Sequence, residues 1–473
     1  MEKYLFIYLF FSFFYLVHPW HCSFPTIGLT SPKARYPFTP HQFTIAELAP
    51  RAGSGASIAL IDTSVANNEL GFSFFDPQRV AFYGANSPLI LINRSSSQFC
   101  KITSNHSLFA AGLIGGPNFF APRLQRLLSH NIPIGIAPKS NISIFGVFDN
   151  CGSAAASQVI KTIETARQVA PDVVCMSFKL DGAFLSDSEL DTRLKNVLKK
   201  IPFSVAAAGN FNEFSINAAQ EAFPARSNEI LFDVGSFGLN GATAQISDFS
   251  CWEKGVGPLF VMPGEKIKSV TATKSNNSIM PFVMSGTSIS AALMSSALAL
   301  IIAEFPDFSS KQIATVCYAS AIKLQKTTDW QERVILGTLD VRLALFILHV
   351  LRSLRSLGVE IENKFLQFTF IIKELLFYEA ELCTHQQFGK SVSLQNNFLE
   401  FVRLWQHHPN NQSTFEKQTL SVVVDGIAKK LKGLTNNKTD KKIISQSIIA
   451  ILSERQENLL PIAALERLKS VSD

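Results

Sequence analysis

The stretch Met284-Ser-Gly-Thr-Ser-Ile-Ser-Ala-Ala-Leu-Met-Ser-Ser-Ala-Leu-Ala-Leu-Ile-Ile302 changes character after its first five residues. A tight start of small residues gives way to a run of Ala, Leu, Met and Ser without Gly or Pro, which predicts a buried helix. Ser288 stands at the start of this helix, where backbone N–H groups lack partners and the helix dipole is positive. A serine at this place fits two roles: a helix cap, or a nucleophile beside a position that can hold an oxyanion.

The composition is that of a chain that can bury a large core. Its 473 residues are 47% apolar, which suits two or three domains and excludes global disorder. The net charge is +6, and only 17% of the residues are charged. The sequence has no dense cluster of Lys and Arg of the kind that nucleic-acid binding requires, so no nucleic-acid partner is expected.

The N-terminus has the pattern of an export signal. Lys3 precedes an apolar run from Tyr4 to Val17, which is short for a membrane-spanning helix. We expect a signal peptide over residues 1–23 and an extended lead-in over 24–41, with an uncleaved anchor as the alternative to signal removal. No later stretch reaches about 18 uncharged apolar residues, so no stable membrane span is expected after signal removal.

The seven cysteines are widely spaced and form no CxxC pair. This spacing excludes a small disulfide scaffold and a cysteine zinc site. One or two disulfides and buried free thiols remain equal alternatives for an exported chain. We predict no metal site and no cofactor.

Strands and helices alternate upstream of the opening stretch. Apolar runs predict strands at 55–62, 141–148, 172–177, 203–210 and 230–235. Helical patterns begin at His106 and cover 154–169 and 190–200. This alternation predicts an α/β fold with a mostly parallel sheet and helices on both faces.

Three polar residues stand where such a fold builds a site. Asp62 ends a predicted strand at the C-terminal edge of the sheet, although an aspartate there also begins turns. His106 starts a small-residue helix, which is a common place for a structural histidine as well. Asn210 ends a strand in a Gly-Asn turn, where it serves either the turn itself or an oxyanion. The residues alone leave these alternatives open.

In chain order, these segments resemble the subtilisin-like serine peptidases. The blocks that carry the resemblance are Asp62-Thr-Ser64, His106 to Gly112, Gly135-Ile-Ala-Pro138, Cys175-Met-Ser-Phe178, Ala206-Ala-Ala-Gly-Asn210, Met262-Pro-Gly264 and Ser285-Gly-Thr-Ser288. The order Asp62, His106, Ser288 is the subtilisin order of a catalytic triad. The resemblance implies a peptidase domain over residues 42–350 with a subtilisin-like fold.

The resemblance also implies a role for each residue. Asp62, His106 and Ser288 would be the catalytic residues, and Asn210 would donate to the oxyanion. A protein or peptide substrate would lie as an extended strand along the substrate-binding residues Ser177, Phe178, Lys179, Ala208 and Gly209. With the export signal, this describes a secreted or periplasmic serine endopeptidase that needs no cofactor.

The sequence departs from the family pattern close to these residues. Ser107-Leu-Phe109 follows the histidine in place of Gly-Thr-His, and the other departures are Ser64 and Lys179 for glycines, Cys175 for an asparagine and Ala292 for a proline. None removes a triad residue or Asn210. The side chains beside His106 leave a second function open, an inactive relative that keeps the peptide groove as a binding module. A peptide ligase on the same fold is a third candidate, and it requires water to be excluded from the acyl-enzyme.

The pattern changes after about residue 351. Amphipathic periodicity predicts helices over 365–382, 394–405, 415–431, 440–452 and 459–468. We expect an all-α C-terminal domain over residues 351–473. Its role is either a packing appendage or a site for a partner or for control of the peptidase.

Overall fold

The computed structural model describes most of the expected peptidase domain and a few positions of the C-terminal third. The described residues are 49–63, 78–84, 106–116, 135–148, 154–178, 188–210, 224–225, 227–240, 243–253, 257–272, 279–324, 328–356, and positions within 361–373 and 461–468. The expected signal peptide and lead-in, Ser64, Lys179 and the predicted helices at 394–405, 415–431 and 440–452 lie outside them.

A mostly parallel sheet forms the centre of the fold. Its strands are β1 (Ser57–Thr63), β2 (Val80–Gly84), β3 (Asn141–Phe148), β4 (Val173–Met176), β5 (Phe203–Ala207), β6 (Phe232–Asn240), β7 (Thr243–Ile246) and β8 (Phe260–Pro263). In the described part of the chain they join in the order β2-β3-β1-β4-β5-β6-β7, and β8 pairs with β6. The β6–β7 pair is antiparallel, and the other pairs are parallel. Because β1 lies between β3 and β4, its C-terminal end lies near the middle of the sheet edge.

Two short antiparallel pairs complete the strands of the described residues. β9 (Ile267–Ala272) pairs with β10 (Ile279–Met284), and β11 (Ala321–Ile322) pairs with β12 (Thr338–Leu339). β10 ends at Met284, the first residue of the stretch that leads into the helix Thr287–Glu304.

Helices cover both faces of the sheet. They are α1 (His106–Gly115), α2 (Ala156–Gln168), α3 (Ser188–Leu198), α4 (Thr287–Glu304), α5 (Ser310–Ala319), α6 (Thr328–Glu332) and α7 (Val341–Ser356). Alternate residues of β1 enter two different cores. Ile58 and Leu60 pack with residues of α1 and α4, whereas Ala59 and Ile61 pack with residues of α2 and α3. The predicted α/β architecture with helices on both faces is confirmed.

The helix α4 is buried along its whole length. Every residue from Thr287 to Glu304 is buried, because the helix lies between the sheet and α1 and α7. Among the described residues it is the helix that is long and apolar enough to cross a membrane, but 94% of its apolar window is buried inside the domain. The helix predicted from the opening stretch is therefore a core helix.

The C-terminal third begins within a helix. The predicted domain boundary at residue 350 falls inside α7, which continues to Ser356. Helical positions occur again within 365–373 and 464–468, and the all-α C-terminal domain as a whole stays a prediction. Of the seven cysteines, Cys175, Cys251 and Cys317 are described, and all three are buried free thiols.

Candidate active site

Asp62 lies at the C-terminal end of β1, and 2% of its surface is exposed. Residues two apart along a strand share a face, so Asp62 lies on the same side as Ile58 and Leu60, which pack with α1 and α4. Its Oδ1 accepts hydrogen bonds from the backbone N–H of Thr63 at 2.6 Å and from the Thr63 hydroxyl at 3.1 Å. These bonds fix the carboxylate at the end of the strand.

His106 is the first residue of α1 and lies between two partners. Its Nδ1 is 2.8 Å from Oδ1 and 2.9 Å from Oδ2 of Asp62. Its Nε2 is 2.7 Å from Oγ of Ser288. Because a carboxylate only accepts hydrogen bonds, Nδ1 carries the proton in the neutral ring. Nε2 is then an acceptor that faces the Ser288 hydroxyl.

The surroundings of His106 favour its protonated form. Burial by itself lowers the pKa of the imidazole, but the charge of Asp62 and the hydrogen bond to it together outweigh burial and raise the pKa above the usual 6.5. The side chain still has 21% of its surface exposed. The ring is therefore supported by a buried charge and remains open to solvent on one side.

Ser288 is the second residue of α4, and Gly286 is the N-cap of this helix. Gly286 adopts φ 157° and ψ 155°, a combination that side chains with a Cβ rarely allow. A Cβ at this position would lie 3.3 Å from Oγ of Ser288 and 3.4 Å from Nδ2 of Asn210. The glycine thus leaves open the space between a hydroxyl and an amide, at the positive end of a buried helix.

Asn210 follows β5, and Thr287 orients its amide. Oδ1 of Asn210 accepts hydrogen bonds from the backbone N–H of Thr287 at 2.8 Å and from the Thr287 hydroxyl at 3.0 Å. The same hydroxyl accepts a hydrogen bond from the N–H of Gly209 at 3.1 Å. Because a backbone N–H needs an acceptor, the amide oxygen must face Thr287, and Nδ2 is left as a donor on the other side.

Of the predicted substrate-binding residues, Ser177 and Gly209 contact residues of this centre, and Phe178 packs against the core on the other face of the sheet. The hydroxyl of Ser177, which follows β4, is 3.5 Å from the backbone carbonyl oxygen of Ser288. The ring of Phe178 packs 5.2 Å from that of Phe148 on β3. Ala208 is buried beside β6, and Lys179 lies outside the described residues.

The sequence profile of the subtilase family matches residues 53–337, which is more than half of the chain. The protein belongs to the subtilase family. This membership makes it a relative of serine peptidases, and it agrees with the resemblance inferred from the ordered motifs.

Two curated relatives of this subtilase come from bacilli. It is 31% identical over 168 residues to the major intracellular serine protease of Bacillus subtilis, which covers 35% of this chain and 48% of that relative. It is 28% identical over 196 residues to subtilisin DY of Bacillus licheniformis, which covers 40% of this chain and 64% of that relative. The matches thus span less than two thirds of the length of either relative.

Among solved structures, the subtilase is similar to fervidolysin from Fervidobacterium pennivorans, described as a keratinolytic enzyme related to subtilisin. The TM-score is 0.50 at 18% identity, and the likeness covers 66% of this chain and 44% of that chain. At this identity the similarity concerns the fold, and it confirms the subtilisin-like architecture.

The departures from the family pattern that fall on described residues leave these hydrogen-bonding distances intact. Ser107 and Leu108, which follow His106, are buried, and Leu108 packs in the core. The imidazole still reaches a partner at each of its two nitrogens. Burial raises the pKa of the Cys175 thiol to about 11, so this thiol stays protonated at neutral pH. Cys175 is therefore no competitor to Ser288 as a nucleophile.

Two threonines position the predicted residues and were missed by sequence reasoning. Thr287 orients Asn210, and the Thr63 hydroxyl accepts a long hydrogen bond of 3.4 Å from the backbone N–H of Ser107 while it donates to Asp62. Each stands next to a predicted site residue in the sequence. Their position inside the Asp-Thr and Ser-Gly-Thr-Ser motifs was the available signal.

Proposed function

We propose that this subtilase is an active serine endopeptidase in which Asp62, His106 and Ser288 form the catalytic triad. The observation that carries the proposal is the continuous series of hydrogen-bonding distances from the Asp62 carboxylate through both imidazole nitrogens to the Ser288 hydroxyl. Such a series is the geometric signature of an activated serine. The order of the three residues along the chain is that of the family.

In the first half of the proposed reaction, Oγ of Ser288 attacks the carbonyl carbon of a peptide bond. A hydroxyl is hardly ionised near neutral pH, so Nε2 of His106 takes its proton as the bond forms. Asp62 keeps the proton on Nδ1 and stabilises the imidazolium. The proton on Nε2 then passes to the leaving amine, and the acyl-enzyme remains.

In the second half, water takes the place of the amine. Nε2 of His106 accepts a proton from the water as the water oxygen attacks the acyl carbon. The proton returns to Oγ of Ser288 when the carboxylic acid product leaves. The exposed side of the imidazole is compatible with entry of this water.

The negative charge of the tetrahedral intermediate needs donors that are already in place. Nδ2 of Asn210 is oriented by Thr287, and the Ser288 backbone N–H belongs to the first turn of α4, where it lacks a partner within the helix. We assign the oxyanion to the space between them, which the missing side chain of Gly286 keeps open. One such side-chain donor is worth about 3–4 kcal/mol in the transition state.

The substrate is proposed to be a protein or peptide in extended conformation. It would lie as an added strand along residues 177–179, with Ala208 and Gly209 on the other side of the bound residue. Ser177 lies within reach of the Ser288 backbone, which supports this placement. Fervidolysin, whose fold is similar, is described as keratinolytic, and that substrate is a property of fervidolysin.

The location is proposed from the N-terminal pattern rather than from the relatives. We infer a secreted or periplasmic protein because the apolar run from Tyr4 to Val17 has the form of a signal peptide. One relative is named an intracellular protease, so family membership is compatible with either side of the membrane.

Digestion of an unfolded protein tests the proposed activity. The full chain should produce internal fragments from a reduced and alkylated protein substrate, and mass spectrometry of the fragments reads the cleavage sites. The Ser288→Ala variant should produce none. Folded wild type that retains peptides without cleaving them would replace the proposal by the binding-module function.

A further inference from the structure

We propose that Ala464, Arg467 and Leu468 form an anchor by which the C-terminal third of the chain docks into the subtilase domain and completes its fold. The sequence left two roles for this third, a packing appendage or a site for partners or control. The contacts of the few described C-terminal residues favour the first role in a specific form. The occupant of the docking surface is the chain's own C-terminal segment, held by a buried ion pair.

Arg467 is the centre of this anchor. Its side chain has 2% of its surface exposed and the carboxylate of Asp233 has 0% exposed, and Nη2 of Arg467 lies 3.3 Å from Oδ2 of Asp233. Nη1 donates to the backbone carbonyl oxygen of Ile230 at 2.5 Å. Arg467 and Asp233 are 234 positions apart in the sequence, so their contact joins the last part of the chain to β6 in the central sheet.

Asp233 needs a partner of this kind. Its Oδ1 accepts a hydrogen bond from the backbone N–H of Leu259 at 2.6 Å, which links β6 to the segment before β8. Its side chain is fully buried. Removing one member of a buried ion pair is strongly destabilising, so loss of Arg467 would take a charged partner away from this carboxylate in the core.

Apolar residues of the domain and of the anchor are buried in the same hydrophobic core. The ring of Tyr318 packs edge-on against Phe232 and against Phe260, and its hydroxyl donates to the backbone carbonyl oxygen of Leu231 at 2.5 Å. Ala464 and Leu468 lie within the same hydrophobic core as these rings and are 0% and 7% exposed. The anchor therefore combines a charged contact with apolar contacts on either side of it.

The beginning of the C-terminal third is fixed separately. Phe365, Phe368 and Ile372 are buried in the main core, and Nζ of Lys373 donates to the backbone carbonyl oxygens of Ala319 and Ala321. The chain is thus held to the domain both at 361–373 and at 461–468. A chain cut between these two positions is expected to stay together as a complex.

The test uses the full chain with Ser288→Ala, so that its outcome does not depend on the proposed peptidase activity. A recognition sequence for an unrelated site-specific protease is inserted between Asn436 and Asn437, and the chain is cleaved there. The C-terminal fragment should co-elute with the rest of the protein in size-exclusion chromatography. Separation of the fragment under native conditions would overturn the proposal.

Two substitutions test the role of the ion pair. Arg467→Met keeps an unbranched apolar stem but removes the charge, and it should lower the Tm of the uncleaved chain by about 10 °C and release the fragment after cleavage. Glu466→Gln is the matched control, because Glu466 is the exposed neighbour and should leave both readouts unchanged. Equal Tm values for the two variants would contradict the anchor.

A double variant keeps the test valid if Arg467→Met folds poorly. Arg467→Met combined with Asp233→Leu removes both charges of the pair, so it should regain most of the lost Tm. If the double variant is instead destabilised by the sum of two independent losses, the pair does not interact as proposed.

Discussion

Two buried carboxylates of the central sheet, Asp62 and Asp233, each contact a basic side chain, and the two basic side chains differ in exposure and in their further contacts. His106, the partner of Asp62, has 21% of its side chain exposed and a third group, Ser288, on its far nitrogen. Arg467, the partner of Asp233, is 2% exposed, and its guanidinium only donates hydrogen bonds. Asp62 and His106 can therefore take part in proton transfer, whereas Asp233 and Arg467 can only stabilise the fold. The comparison separates a carboxylate proposed to serve chemistry from one proposed to serve stability.

The largest expected difference is in kcat, between a variant that lacks the partner of Asp62 and a variant that lacks the partner of Asp233. His106→Ala should lower kcat about 10⁶-fold, because the serine loses its base and the remaining groups act only as a unit with it. Arg467→Met should change kcat less than about 3-fold at a temperature well below its Tm, since it lowers stability and not chemistry. Steady-state kinetics on a peptide substrate, with circular dichroism to verify folding, measures both. A comparable loss of kcat in the two variants would show that the two pairs do not differ in their role in catalysis.

The next largest difference in kcat is expected between substitutions of the two carboxylates themselves. Asp62→Asn should reduce kcat about 10⁴-fold at neutral pH, because an amide at this place can donate to Nδ1 and favour the wrong imidazole tautomer. Its effect on the free energy of unfolding should stay near 1 kcal/mol, since the amide oxygen can still accept from Thr63.

Asp233→Asn should show the reverse pattern. It removes the carboxylate that faces the buried Arg467 guanidinium, and breaking such a buried pair should cost about 3–5 kcal/mol of the free energy of unfolding. Urea denaturation of Asp62→Asn and Asp233→Asn measures the free energy of unfolding, and steady-state kinetics measures kcat for the same two variants. Equal losses of stability for the two substitutions would show that the pairs do not differ in kind.

A smaller effect is expected at the oxyanion donor. Asn210→Ala should lower kcat about 10²–10³-fold with little change in KM, because its amide acts on charge that forms only in the transition state. The exposed Asn240 at the end of β6 offers a matched control, and Asn240→Ala should stay within about 2-fold of wild type. An Asn210→Ala variant with unchanged kcat would exclude the assigned oxyanion site.

The smallest expected effects are changes of kcat/KM and of stability with pH, and they are expected for the pair of Asp62 and His106 only. The pKa of His106 is raised, so kcat/KM should fall on the acid side with a midpoint above pH 6.5. The ion pair with protonated His106 should stabilise the fold below pH 6.5 and lose this contribution as pH rises through the raised pKa.

The stability part can be measured in the Ser288→Ala background. The loss of stability caused by Asp62→Asn should be larger at pH 5.5 than at pH 9, whereas that caused by Asp233→Asn should not follow this trend. A loss for Asp62→Asn that grows with pH would contradict the raised pKa.

Sequence patterns were sufficient for the strands that form the middle of the sheet. The predicted strand at 141–148 coincides with β3, and the run at 55–62 differs from β1 by two residues at its start and one at its end. These strands are continuous apolar runs because both of their faces are buried. The order of the strands and the β9–β10 pair were not predicted, because pairing depends on contacts between distant residues that no local pattern records.

The capped helix α5 was also missed, although its start carries a readable signal. Ser309 accepts from the backbone N–H of Gln312, and the Gln312 side chain accepts from the backbone N–H of Ser309. This reciprocal pair is the Ser-x-x-Gln capping box that marks a helix start in sequence.

The partner of Asp62 could be predicted from the sequence, whereas the partner of Asp233 could not. Asp62 was placed beside His106 and Ser288 because each stands in a motif whose order is that of a known family. Arg467 could not be placed, because a single arginine in an amphipathic helix is normally assigned to the exposed face. Its burial depends on Asp233, which lies 234 residues earlier.

The most direct test of the account is covalent labelling of the full chain with a fluorophosphonate probe. Wild type, Ser288→Ala, His106→Ala and Arg467→Met are compared, and mass spectrometry identifies the labelled residue. A label is expected on Ser288 in wild type and in folded Arg467→Met, and none is expected in Ser288→Ala or His106→Ala. Folded wild type that takes up no label, or a label that persists in His106→Ala, would contradict an activated serine at this site.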